Sequence, residues 1–180
     1  MGAEMFSESK KKRRIRQSVL CDRQSSEQEI GKIYHQRYQV RKILGEGGMG
    51  KVFLALDQKT GKEVAVKIVK DQKQWDRERV ILQKLKHTKG VPELFFAGKE
   101  KELFLVMEYI LGNSLKRYGG VCGKLYKKKS LLWMIKICKV LNKIHEQGII
   151  HMDLKPENIM LDRFGNIYFC LLYTSPSPRD

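Results

Sequence analysis

The chain of 180 residues has no run approaching the ~18 consecutive apolar residues of a membrane helix, so nothing in it reads as a bilayer span. Its four cysteines (Cys21, Cys122, Cys138 and Cys170) show no paired short spacing, which argues against a zinc knuckle or a disulfide framework. That usage fits a reducing, cytoplasmic compartment. Acidic residues are scarce: 20 against 36 basic ones, a net charge of +16. From Tyr109 to His145 there are nine basic residues and no acid. Such a field attracts anions of many kinds, or simply solvates a surface, so charge alone names no function. With 42% hydrophobic and 31% charged residues, neither a disordered nor a fibrous chain is indicated; the length suits about one domain.

The start lacks a targeting pattern. Lys10 to Arg16 resembles a positive n-region, but only Ser18-Val19-Leu20 follows before charges return. Phe6 stands where a myristoylation motif wants Ser or Thr. Residues 1–37 are expected to be a basic, flexible extension. At the other end, Cys170 to Asp180 breaks the preceding pattern. One codon choice for these eleven residues spells a transposase adapter used in short-read library preparation, read in frame. Residues 170–180 are therefore expected to be a non-native tail.

Between these ends the periodicity changes twice. Tyr38 to Leu56 reads as strand, glycine turn, strand, and Glu63 to Val69 as a third strand. From about Trp75 to Lys86 the period is helical, with Glu78, Ile81, Leu82 and Leu85 on one face. Val91 to Ala97 and Leu103 to Tyr109 read as two more strands. Ser130 to Gln147 then reads as a long helix, with Met134, Ile137, Cys138, Leu141 and Ile144 on its apolar side and Gly148 capping its end. The class is α+β: a small sheet lobe, then the opening of a helical lobe.

Three features carry chemistry. Gly45-Glu46-Gly47-Gly48-Met49-Gly50-Lys51-Val52 fits G-x-G-x-x-G-x-V. A dinucleotide-binding loop runs from strand into helix, whereas here Val52-Phe53-Leu54-Ala55 continues as strand. A glycine hairpin between strands brings backbone N–H groups close to phosphates; it can equally be a plain hairpin. Lys67 lies inside Val64-Ala65-Val66-Lys67, where a lysine would ordinarily snorkel to solvent. Beneath a phosphate loop it needs a carboxylate partner, and Glu78, an acid on a core-facing stripe, needs a cation in turn. The third feature is Ile149-Ile150-His151-Met152-Asp153-Leu154-Lys155-Pro156-Glu157-Asn158.

That last segment closely resembles the H-R-D-L-K-P-E-N catalytic loop of eukaryotic-type (Hanks-type) Ser/Thr protein kinases, and the glycine loop is most similar to the bacterial members. The resemblance covers about residues 38–169. It implies a protein-kinase-like bilobal fold: an N-lobe of a five-stranded antiparallel sheet and one helix with the hinge over 38–110, and a partial C-lobe over 111–169. It implies transfer of the ATP γ-phosphoryl group to Ser/Thr hydroxyls of protein substrates, with Mg²⁺. Residue by residue, it makes Asp153 the group that accepts or orients the proton of the substrate hydroxyl, Lys155 the neutraliser of the transferring phosphoryl, and Asn158 a Mg²⁺ ligand. His151 is implied to pack rather than to act as a base. Lys67 would reach the α- and β-phosphates, held by Glu78. Met107 would be the gatekeeper, the backbone of Glu108 to Ile110 would bind adenine, and Val52, Ala65 and Met160 would sandwich it.

The chain also departs from that pattern. Met152 replaces the arginine that grips a phosphorylated activation loop, so activation independent of that clamp is expected. The segment from Lys67 to Glu78 is short, so its helix is expected to lose a first turn. The D-F-G aspartate should stand near position 171, where the residue is Leu171. Activation loop and A-P-E are absent as well, so this fragment is expected to be inactive, with long-helix apolar surface exposed. A pseudokinase or nucleotide-binding scaffold is the alternative. A specific nucleic-acid-binding module is not expected, because the sequence lacks aromatic interleaving and a recognition-helix pattern. Lys116, Arg117, Lys124 and Lys127 to Lys129 would flank the substrate cleft and favour acidic substrates.

Overall fold

A computed structural model describes residues 28–47, 50–118 and 124–170. Among the described residues nine strands form two sheets. The larger sheet contains β1 (Ile33–Tyr34), β2 (Tyr38–Gly47), β3 (Gly50–Asp57), β4 (Glu63–Val69), β5 (Leu94–Lys99) and β6 (Leu103–Glu108), in the order β1-β2-β3-β4-β6-β5. All its pairings are antiparallel. The smaller sheet contains β7 (Gly112–Ser114), β8 (Ile159–Asp162) and β9 (Ile167–Phe169). Two helices complete the frame, α1 (Gln72–Lys84) and α2 (Lys124–Glu146).

The larger sheet thus has six strands where the sequence pattern suggests five. The extra strand, β1, is two residues long and reaches β2 through a turn in which His35 and Gln36 have φ of 51° and 52°. Such turns normally announce themselves with Asn or Gly, and neither stands here. Ordered structure begins before residue 38: Tyr34 is buried, and its hydroxyl donates to carboxylates of Glu29 and Glu102. The remainder of the expected basic extension, and the expected tail from Leu171 onward, lie outside the described residues.

Alternation along β4 explains how the sheet is buried on both faces. Val64, Val66 and Ile68 join Phe53, Ala55, Phe104 and Val106 in one apolar cluster. Ala65 and Val69 face the opposite cluster, shared with α1, α2 and the small sheet. Lys67 falls on that second face by the same two-residue period. Each large side chain so buried contributes roughly 1.5–3 kcal/mol relative to exposure.

Helix α1 starts at Gln72, earlier than the apolar pattern suggests, because Asp71 caps it: the Asp71 carboxylate accepts from the Gln74 N–H at 2.7 Å. Trp75, Glu78, Ile81 and Leu82 are its buried residues. Helix α2 likewise starts before Ser130. Ile137 and Ile144 are buried and Leu141 half-buried, as the pattern suggests. Met134 and Cys138, expected on the same apolar side, are exposed together with Leu131, Leu132 and Ile135. The helix's hydrophobic arc is wider than the surface the described residues offer it. Gly148 ends the helix with φ of +68°, its N–H donating to the His145 carbonyl.

Candidate nucleotide site

A cavity of about 440 Å³ lies between the larger sheet and the small one. Val52 on β3 and Ala65 on β4 form its roof, Met160 on β8 its floor, and Met107 at the end of β6 its back. The main chain from Glu108 to Ile110 borders it where β6 leaves the sheet. Gly45, at the end of the sheet, also faces it, and a Cβ there would meet open space. Lys67 forms part of the wall. A mainly apolar slot of this size with few polar groups fits a purine and the phosphates beside it.

The Lys67 ammonium touches both oxygens of the Glu78 carboxylate, at 2.5 and 2.6 Å. The two side chains are only 3% and 5% exposed. One element supplies each charge, β4 the lysine and α1 the glutamate, so the pair fixes how the helix sits against the sheet. Burying either charge alone would be costly, and together they compensate.

The rest of the glycine loop is partly described. Gly48 and Met49 lie outside the described residues. Glu46 does not line the cavity; its carboxylate sits 3.2 Å from the Lys51 ammonium across the hairpin. Gly50 has φ of +126°, and a Cβ there would stand 1.9 Å from the Ile68 carbonyl oxygen, so only glycine fits. Its place in the motif has a structural cause quite apart from phosphates.

Below the cavity, residues 149–158 bring three polar groups together. Asp153 accepts from the Asn158 side-chain amide at 2.9 Å and lies 2.7 Å from the Lys155 ammonium. The same amide also donates to the Asp153 carbonyl at 2.8 Å. The Lys155 ammonium is the main reason the Asp153 carboxyl is held below its ordinary range, with the Asn158 amide adding to it. Asn158 is fully buried at the end of a 3-10 turn over Pro156–Asn158. His151 packs on Phe169, ring centroids 5.3 Å apart, and its Nδ1 accepts from the Asp153 N–H. Met152 points to solvent at 63% exposure.

Sequence reasoning missed several lining residues. Leu44 precedes the first glycine of the loop, and Ser114 and Arg117 follow the segment after β6. Glu157, inside the recognised loop segment, lines the cavity and pairs with Lys116 at 3.0 Å. Leu44 carries a usable signal, being the last apolar residue of its strand; the others do not. Gly112 is a further silent contributor: a Cβ there would stand 2.2 Å from the Leu161 carbonyl oxygen, so glycine lets β7 approach β8.

The residues present fit a nucleotide better than they fit a metal. Asn158 spends its amide nitrogen on Asp153, which leaves a carbonyl oxygen as the donor suited to a hard cation. Among the described residues no cluster of three or more His, Cys, Asp or Glu side chains could hold a metal ion. One neutral oxygen is not a Mg²⁺ site, and position 171 is Leu.

The profile of the protein kinase domain matches residues 38–170. The serine/threonine-protein kinase PrkC of Bacillus subtilis is 35% identical over 147 residues, covering 77% of this chain and 22% of that protein. A probable serine/threonine-protein kinase of Clostridium perfringens is 34% identical over 144 residues, 76% of this chain and 21% of that protein. The serine/threonine-protein kinase PknD of Chlamydia trachomatis is 32% identical over 151 residues, 73% and 16%. The chain belongs to the protein kinase domain family, and the matches resemble bacterial Ser/Thr kinases of the Hanks type. It spans about a fifth of the length of those relatives. Members of this family generally use ATP and Mg²⁺. No helix of the described residues is long and apolar enough to cross a membrane.

Proposed function

We propose that the chain is the nucleotide-binding part of a serine/threonine-protein kinase, one that moves the γ-phosphoryl group of ATP to hydroxyls of protein substrates. The observation that carries the reading is the buried Lys67–Glu78 pair in the wall of an apolar cavity. A lysine held by a carboxylate at that depth has a purpose beyond packing, because an apolar pair would cost less to bury.

When bound, ATP supplies the phosphoryl group and the energy of its transfer. Val52, Ala65 and Met160 would clasp the base, and the backbone of Glu108 to Ile110 would orient it by hydrogen bonding. Lys67, positioned by Glu78, would offset charge on the α- and β-phosphates. Asp153, ionised at neutral pH and held below the ordinary carboxylate range by the Lys155 ammonium, would accept a hydrogen bond from the substrate hydroxyl and orient it. Lys155 would neutralise charge developing on the transferring group. Asn158 holds Asp153 in place.

Leu171 favours a second reading for the 180-residue chain itself: nucleotide binding without turnover. With Asn158 the one metal donor the family pattern retains here, the charge developing in transfer has too little to offset it. Protein substrates rich in acids suit the surface, since Lys116, Arg117 and Lys129 are exposed. A cytoplasmic site suits Cys138, which is a free thiol.

Calorimetric titration with ATP and label transfer from γ-labelled ATP test both readings. The chain should bind ATP, adenosine should compete, and no label should pass to a protein substrate. Transfer of label by this chain would refute the reading without turnover. Absence of any ATP binding would refute both.

A further inference from the structure

A second cleft, of about 570 Å³, opens on the opposite side of the segment that follows β6. One wall is α2 and the other is the connection between α1 and β5, with the β8–β9 turn closing an end. Lys136, Lys139 and Lys143 line the first wall and Lys89 the second. Positions 136, 139 and 143 share one helix face. Lys136 donates to the Gly165 carbonyl, which ties α2 to the β8–β9 turn. The side chains of Lys89, Lys139 and Lys143 make no hydrogen bond or ion pair among the described residues. Four lysines against the carboxylates of Glu93 and Glu108 leave the concavity net positive, and an anion entering there relieves the repulsion among the ammonium groups.

We propose that this cleft is a docking site for an acidic, extended peptide segment of a protein partner, separate from the nucleotide cavity. Spacing supports an extended chain. Lys139 and Lys143 are one turn apart, a rise of about 6 Å along the helix. Alternate residues of an extended peptide are about 6.7 Å apart, so acids at every second position meet successive lysines. The residues between point to the opposite wall, where Val91 supplies apolar lining.

The same walls disfavour a nucleic acid. Glu93 and Glu108 also line the cleft, and a continuous polyanion would be forced against them. A peptide can turn an N–H or a neutral side chain toward those carboxylates. A membrane surface is flat and cannot follow a concavity of this kind.

The test is fluorescence anisotropy of a labelled peptide of alternating glutamate and leucine, titrated with the 180-residue chain at low ionic strength without nucleotide. This readout does not depend on the kinase reading. The peptide should bind, added salt should weaken it, and a lysine–leucine peptide should not bind. The variant Lys139→Glu/Lys143→Glu should weaken binding about tenfold or more, since two attractions become two repulsions. Lys89→Glu, on the other wall, should weaken it independently. Lys59→Glu/Lys62→Glu, on the exposed β3–β4 turn, should leave it unchanged. Equal binding by the charge-reversed chains overturns the proposal, as does no binding at all. Tighter binding of an oligothymidylate, lost in the same variants, would make the cleft a nucleic-acid surface instead.

Discussion

Removing one charge of the Lys67–Glu78 pair should cost far more than removing both. Contacts of 2.5 and 2.6 Å between side chains 3% and 5% exposed leave almost no water to solvate an abandoned partner. Lys67→Met strands the Glu78 carboxylate, and Glu78→Leu strands the ammonium; each should destabilise by about 3–5 kcal/mol. That is a large share of the total for a domain whose stability falls in the ordinary range of about 5–15 kcal/mol. The double variant replaces both charges with apolar groups of similar volume, so it should lie within about 2 kcal/mol of the parent. Urea unfolding followed by tryptophan fluorescence reads the cycle. Trp75 is a suitable reporter, being buried on α1 with its indole N–H donating to the Phe104 carbonyl at 3.1 Å. Singles that cost less than about 1 kcal/mol, or costs that simply add in the double variant, would refute the compensating-pair argument.

Three further outcomes follow from the same geometry. Gly50→Ala should destabilise by about 2–4 kcal/mol, because φ of +126° and a clash with the Ile68 carbonyl leave no room, whereas Gly45→Ala should stay within about 1 kcal/mol; thermal melts compare them. Asp57 is held by the Arg37 guanidinium through two contacts of 2.6 Å, which pushes its carboxyl well below the usual range; its stabilisation is therefore present above the unfolded-state pKa of about 3.9 and lost as pH falls further. Asp57→Asn should cost about 2–3 kcal/mol at neutral pH, and its deficit against the parent should shrink in acid unfolding experiments. Carboxyl NMR titration of Asp153 should show its pKa rising in Lys155→Met more than in Asn158→Ala, since the ammonium is the larger cause; an unchanged value in Lys155→Met would contradict the assignment.

What could be read in the sequence and what could not divides along physical lines. Lys67 and Glu78 were legible as partners because each is a charge on a stripe facing the core, and burial forces such charges to pair. Strands β2 to β4 were legible from their two-residue alternation and from turns marked by glycine. β1 was not, since His35 and Gln36 make a left-handed turn without the usual residues. The small sheet of β7, β8 and β9 was not, since three- and four-residue strands carry too few alternations to show a period. On α2 the apolar arc and the exposure of part of it were legible, but which part packs depends on neighbours distant in sequence: Ile137 and Ile144 are covered, Met134 and Cys138 are not. The second cleft was invisible for the same reason: Lys89 joins Lys136, Lys139 and Lys143 only once α2 lies against the α1–β5 connection.

The central claim is that the cavity roofed by Val52 and Ala65 is where the nucleotide binds. Backbone amide NMR of the isotopically labelled chain, titrated with ATP, tests it most directly. Shifts should concentrate at Val52, Ala65, Lys67, Met107 to Ile110 and Met160, and saturate together. Saturable shifts confined to Lys89, Lys139 and Lys143, or no saturable shifts anywhere, would contradict it.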